Sequence, residues 1–182
     1  MNENRRINTG SIGSAGEFYA LSIFLRQGFV AGKAPENTAD FDLFLMSNDA
    51  KSFKPIQVKT VTNANHWILR DKHESVIKNL FYCFIKFTAL NEKTRMYIVP
   101  SDVVSGAITM GHQIYLTLPG RKDKAHSDGS MRTFKTDYSS LISKVKDPSV
   151  FLTSIQLAFI QSHSNGWLDA YENNFSIFNY KR

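Results

Sequence analysis

Phe41-Asp-Leu-Phe-Leu-Met46, followed after a short polar turn by Pro55-Ile-Gln-Val-Lys-Thr-Val61, is the stretch that decides the fold. Both segments are rich in β-branched and aromatic residues, and turn formers (Ser47-Asn-Asp) lie between them, so they read as neighbouring strands. The proline at the entry of the second segment stands where a strand tolerates it. Upstream, Arg26-Gln-Gly-Phe-Val-Ala reads as a helix end, a turn and a short first strand, with Gly28 in the position of a helix-terminating glycine. Further upstream, Ile12, Ala15, Tyr19 and Ile23 recur at helical spacing from Ser11 to Gln27, behind a polar arm over residues 1–9. Helix, then a three-strand meander, is the organisation expected for the first third of the chain.

Downstream, Leu80-Phe-Tyr-Cys-Phe-Ile-Lys-Phe87 reads as a buried strand and Arg95-Met-Tyr-Ile-Val-Pro100 as another, joined by a turn over Asn91 to Thr94. Ser101 would cap a short helix. Residues Pro119 to Arg132 are Gly-, Lys-, Asp- and His-rich and read as an exposed loop, and Asp147-Pro148 reads as the start of a helix through Phe151, Ile155, Phe159 and Ile160. Strands and helices in this order predict an α/β protein with one central mixed sheet flanked by helices. At 182 residues a single domain is expected, with an arm over 1–10, a core over 11–102 and a C-terminal extension over 103–182.

With 42% hydrophobic and 21% charged residues the composition is that of a globular chain, which excludes the disordered and collagen-like classes. Its longest apolar run, around Phe81 to Ile85, falls far short of the roughly 20 residues of a bilayer span, and Met1 to Thr9 lacks a signal-peptide core, so no membrane span and a cytoplasmic location are expected. Cys83 is the one cysteine, which excludes an internal disulfide and CxxC-type zinc or redox centres. A net charge of +6 favours polyanionic partners. There is no G-x-x-x-x-G-K loop, G-x-G-x-x-G fingerprint or G-x-S-x-G elbow, and His112, His126 and His163 lack the spacing of a helical zinc pair and read as surface or loop residues.

Residue chemistry stands out at three places. Glu17 shares a helix face with Gly13, Ala20, Leu21 and Phe24, where a carboxylate needs a partner or lies at the stripe's edge. Asp42 stands just ahead of Leu43-Phe-Leu-Met; Asp40 shares its face, but Asp42 is flanked by apolar residues on both sides and is preferred. Gln57 and Lys59 project to one face of their strand, opposite Ile56 and Val58, although a lysine snorkelling off an edge strand would give the same pattern. In the meander these side chains converge on one side of the sheet, and the first helix, if it crosses that side, adds Glu17. Carboxylates, an amide oxygen and an ammonium make a hard-oxygen site for Mg²⁺ beside a charge able to hold a phosphate.

The pattern Gly13-x-x-Gly-Glu17, Asp42 before a strand and Gln57-x-Lys59 on the next strand resembles the PD-(D/E)XK nuclease superfamily, in particular the branch with Gln-x-Lys in place of Asp/Glu-x-Lys, represented by an intron-encoded homing endonuclease and bacterial relatives. The resemblance covers residues 11–102. It implies a restriction-endonuclease-like fold and a divalent-metal-dependent endonuclease hydrolysing DNA, with Glu17, Asp42, Gln57 and Lys59 as catalytic residues. By the same resemblance Glu17, Asp42, Gln57 and the Val58 carbonyl hold Mg²⁺ or Mn²⁺, and Lys59 acts on the attacking water and the phosphate. The chain departs from the family in its neutral Gln57 and in Ala39-Asp40, which replaces a proline-containing signature; a nuclease-fold module that binds nucleic acid or a protein without cutting is the alternative. Arg70, Lys72, Arg121, Lys122 and Lys124 are the candidate nucleic-acid contacts. A homodimer would supply the second site that a double-strand cut calls for.

Overall fold

Asn8 starts the first helix by accepting the Gly10 N–H on its side chain, and α1 runs Thr9–Arg26. Gly28 follows with φ +84°, the left-handed conformation that ends helices. This computed structural model describes residues 8–35, 38, 40–47, 51–88 and 93–178, so the N-terminal arm over 1–7 with Arg5 and Arg6, parts of the turns at 36–39 and 48–50, and residues 91–92 lie outside the described residues. The chain divides into two compact units: Met1–Ala64, Asn79–Pro100 and Glu172–Arg182 form the first, Asn65–Lys78 and Ser101–Tyr171 the second.

The first unit holds the expected meander: β1 (Val30–Lys33), β2 (Leu43–Met46) and β3 (Phe53–Thr62), each antiparallel to the next. The chain then passes into the second unit for β4 (His66–Arg70) and returns to make β5 (Phe81–Phe87), parallel to β3, and β6 (Arg95–Pro100), antiparallel to β5. The five-stranded order β1-β2-β3-β5-β6 is a mixed sheet, as expected. Register sorts its residues. Ile56, Val58 and Thr60 stand beside Phe81, Cys83 and Ile85, while Gln57 and Lys59 stand beside Tyr82 and Phe84 and point the other way. Ala20 and Phe24 of α1 pack on the first set together with Leu43, Leu45, Ile98 and Phe178. Phe24 and Phe81 each meet Phe178 edge-on, at 6.0 and 5.0 Å between ring centroids, so the last described turn, Phe175–Phe178, closes this core. Full burial of one such ring stabilises by roughly 1.5–3 kcal/mol. Just before it, Glu172 bonds Arg95 and Asn173 N–H donates to the Met96 carbonyl, tying the segment to β6.

In the second unit β4 pairs antiparallel with β7 (Met131–Lys135). One face of this ribbon buries Trp67, Leu69, Arg132 and Phe134; Ile68 and Met131, on the other, are exposed. The Arg132 guanidinium is satisfied by Glu74 at 2.6 Å and the Gly129 carbonyl at 2.5 Å. Helix α2 spans Ser101–Thr117, far longer than the short helix expected, and the Ser101 hydroxyl accepts the Ile77 N–H at 3.0 Å. The expected helix start at Asp147-Pro148 is only a 3-10 turn, Pro148–Val150; the α-helix, α3 (Ser154–Ser162), begins at Thr153, whose side chain and Gln156 form a reciprocal capping box. Thr153→Ala should cost about 1 kcal/mol, read as a lowered midpoint in urea.

Candidate active site

Asp42 precedes β2, and two hydrogen bonds fix its carboxylate: the Val58 backbone N–H donates to Oδ2 at 2.6 Å and the Gln57 side-chain amide donates to the same oxygen at 2.5 Å. Because β2 begins only at Leu43, Val58 has no ladder partner on that side and its N–H is free for a side chain. The Val58 carbonyl lies on the same edge of the strand as its N–H. Gln57 is 7% exposed, and with Nε2 committed to Asp42 it keeps Oε1 as an acceptor. Burial raises the Asp42 pKa above the ordinary carboxylate value; the Val58 N–H, the Lys59 charge and the Gln57 amide oppose that rise, and Glu17 adds to it. Asp42 thus feels Gln57, Lys59 and Glu17.

The route taken by Glu17 differs from the expectation. Helix α1 does not cross the face that carries Gln57 and Lys59; it covers the Ile56, Val58 and Thr60 face, because the buried stripe of the helix is Gly16, Ala20 and Phe24 and the register turns the apolar residues of β3 toward it. Glu17 therefore sits at the edge of the stripe, 24% exposed, and its Oε2 is 2.8 Å from Lys33 Nζ at the end of β1. Lys33, which also lies 4.7 Å from the Phe18 ring, was not legible as a site residue: a lysine closing a short strand is ordinary in sequence. Such a part-exposed ion pair contributes about 0–1 kcal/mol, so Lys33 can yield Glu17 to a stronger cation.

Among the described residues no cluster of three or more His, Cys, Asp or Glu is placed to hold a metal ion. The donors at hand are two carboxylates, the Gln57 amide oxygen and the Val58 carbonyl, all hard oxygens. Mg²⁺ binds through one or two carboxylates while keeping several waters, and this donor set fits that mode.

Both hydrogen bonds to Asp42 fall on one oxygen, so Asp42→Asn can keep them while losing the charge. The raised pKa fixes the sign of the effect on stability: at low pH the wild-type carboxyl is protonated and resembles Asn, and as pH rises through its folded-state pKa the buried charge costs stability. In metal-free buffer Asp42→Asn should therefore melt above the parent at neutral pH, with the gap closing toward pH 3. A gap that widens on acidification would contradict this account.

The other candidates belong to the second unit. Arg70 on β4 and Lys72 in the turn Asp71–Glu74 are exposed, with Arg70 donating to Ser130 Oγ at 3.1 Å. Arg121, Lys122 and Lys124 are exposed around the turn Arg121–Asp123, which Gly120 N–H closes onto the Lys124 carbonyl at 2.9 Å. Trp67 of β4 is 1% exposed and packs in the core of this unit. His112, expected at the surface, is a correction: its side chain is 11% exposed and Nε2 lies 2.8 Å from Asp128 Oδ1, because α2 continues far enough to carry it inward. No helix among the described residues is long and apolar enough to cross a membrane.

The sequence matches no family model and no curated protein. Solved structures similar to this chain include a bacterial homing endonuclease, 14% identical with a TM-score of 0.40, over 86% of this chain and 94% of that one. Another is a Holliday junction resolvase from the archaeal hyperthermophile Archaeoglobus fulgidus, 12% identical with a TM-score of 0.39, over 80% of this chain and 94% of that one.

Proposed function

We propose that this chain is a divalent-metal-dependent endonuclease that hydrolyses phosphodiester bonds of DNA, of the PD-(D/E)XK type with Gln57 in the place of the usual acid. The observation that carries the reading is the Asp42 carboxylate held by the Val58 N–H and the Gln57 amide, with Lys59 near enough to act on its charge. Asp42, Gln57 Oε1 and the Val58 carbonyl would hold Mg²⁺ or Mn²⁺, with Glu17 binding directly or through water. The ion, when bound, polarises the phosphoryl group and lowers the pKa of its water. The Lys59 ammonium orients the attacking water and stabilises the charge that develops on the phosphate. Gln57 and Val58 keep Asp42 in one orientation without reorganisation during the reaction. The exposed Arg70, Lys72, Arg121, Lys122 and Lys124 would neutralise backbone phosphates. A second copy of the chain would serve the opposite strand.

One observation favours the alternative of a module that binds without cutting. Lys33 occupies Glu17, and Gln57 is neutral, so the charge available to a metal is small. Incubating the pure protein with supercoiled plasmid and Mg²⁺ or Mn²⁺ separates the two. Nicked or linear product that depends on the metal and on Lys59 supports the nuclease, whereas salt-dependent binding with no cleavage in either metal supports the module.

A further inference from the structure

The second unit contains a cavity of about 360 Å³, within the size range of small-ligand sites, that belongs to none of the residues discussed above as catalytic. Its lining joins His112 and Tyr115 of α2 to Met131, Thr133 and Lys135 of β7, and includes Tyr138. The three β7 residues alternate with the buried Arg132 and Phe134, so the period of the strand turns them outward into this space.

Two features define what would fit. The first is a wall of rings: His112 and Tyr115 lie at 27° to one another with centroids 5.9 Å apart, and His126 lies over Tyr115 at 3.9 Å. That last contact ties the loop bearing Arg121, Lys122 and Lys124 to the rim. The second is Lys135. Among the described residues no carboxylate lies within ion-pairing distance of its Nζ, and burial pushes its pKa down, with Asp137 opposing. A part-buried ammonium without an ion-pair partner, lining a cavity, is satisfied by an anion. Beside the rings, Asp128 is already engaged by His112 Nε2 and lies 3.8 Å from Arg132.

We propose that this cavity binds a nucleotide, its flat base against the Tyr115 and His112 wall and its phosphate at the Lys135 ammonium. The ligand could come free or as one residue of a single strand, and in the second case Arg121, Lys122 and Lys124 take the flanking phosphates. The proposal goes beyond the cleavage reading, because it uses none of Glu17, Asp42, Gln57 or Lys59.

The test is calorimetric titration of the full chain, in metal-free buffer, with each of the four deoxynucleoside monophosphates and with a short single-stranded oligonucleotide of mixed sequence. Lys135→Gln and Tyr115→Ala should each weaken binding about tenfold or more, from the loss of a charged hydrogen bond or of base stacking. Lys144→Gln, which removes the same charge from an exposed position outside the lining, should change it little. Thermal melts check that each variant is folded. Binding of the monophosphates that depends on Lys135 and Tyr115 supports a free-nucleotide site, and dependence seen with the oligonucleotide alone supports a strand-derived nucleotide. Absence of binding by both ligands, or binding indifferent to both substitutions, overturns the proposal. Metal-dependent plasmid cleavage persisting in that event would leave the nuclease reading intact, and the converse result would leave the cavity standing without it.

Discussion

Lys59→Ala should leave supercoiled plasmid uncut in Mg²⁺ or Mn²⁺, with the nicking rate down by about 10²–10³ relative to the parent chain, the usual loss when one preorganised charge-stabilising donor is removed from an active site. Lys59 is suited to a large effect because the ladder with β5, where it stands beside Phe84, fixes its backbone and its register puts it on the face shared with Gln57. Its charge already acts on Asp42 in the resting protein. The variant should remain folded, since Lys59 is only part-buried and the neighbouring core is made by Ile56 and Val58 on the opposite face. Far-UV circular dichroism and a thermal melt establish that before the activity is read. Asp42→Asn should be equally inactive while folded, and the pair of variants then separates loss of the ammonium from loss of the carboxylate. Full cleavage by a folded Lys59→Ala protein would remove the nuclease assignment of this site.

Gly16→Ala is expected to destabilise the first unit by about 1–3 kcal/mol, the range for overpacking a tight contact. A Cβ built on Gly16 would fall 1.8 Å from Thr60 Oγ1 and 2.9 Å from Thr60 Cβ, and a short β-branched side chain on a central strand has no room to swing away. The helix must therefore rise off the sheet. Thr60 Oγ1 is itself buried without a hydrogen-bond partner among the described residues, which reflects how closely the helix backbone sits. Because Glu17 follows Gly16, lifting α1 also carries its carboxylate from the position where it acts on Asp42, and cleavage should fall together with stability. A urea titration measures the first effect and the plasmid assay the second. Thr60→Ala should recover part of the lost stability in the double variant, and the coupling in that cycle is the direct measure of the contact. Additive effects would mean the two residues do not meet as described.

Much of this was legible in the chain alone. The helix over α1 and its end at Gly28 followed from periodicity and a terminating glycine. The strands β2, β3, β5 and β6 followed from apolar and β-branched runs between turn residues, because a strand with both faces covered has no polar alternation to disguise it. Asp42 and Gln57, which the structure joins by a hydrogen bond, stood out as polar side chains inside such runs, and a period of two already put Gln57 and Lys59 on one face.

Other features depend on groups distant in sequence. Two cap-like signals, Asp147-Pro148 and Thr153, compete for the start of α3, and Gln156 completes the second as a capping box. Helix α2 runs well past the short helix expected, and within it Gly111 is buried against the Tyr138 ring while Gly106 faces open space. The side of the sheet covered by α1 was decided by Gly16 against Thr60, an approach that no local pattern announces. The same holds for Lys33 on Glu17 and for Lys135 facing a ring-lined cavity: each is an ordinary lysine in sequence. Local sequence determined which segments are helix or strand, since propensity and periodicity act over a few residues. Only the tertiary structure decided which charges meet, since that depends on sheet order and register between strands far apart in the chain.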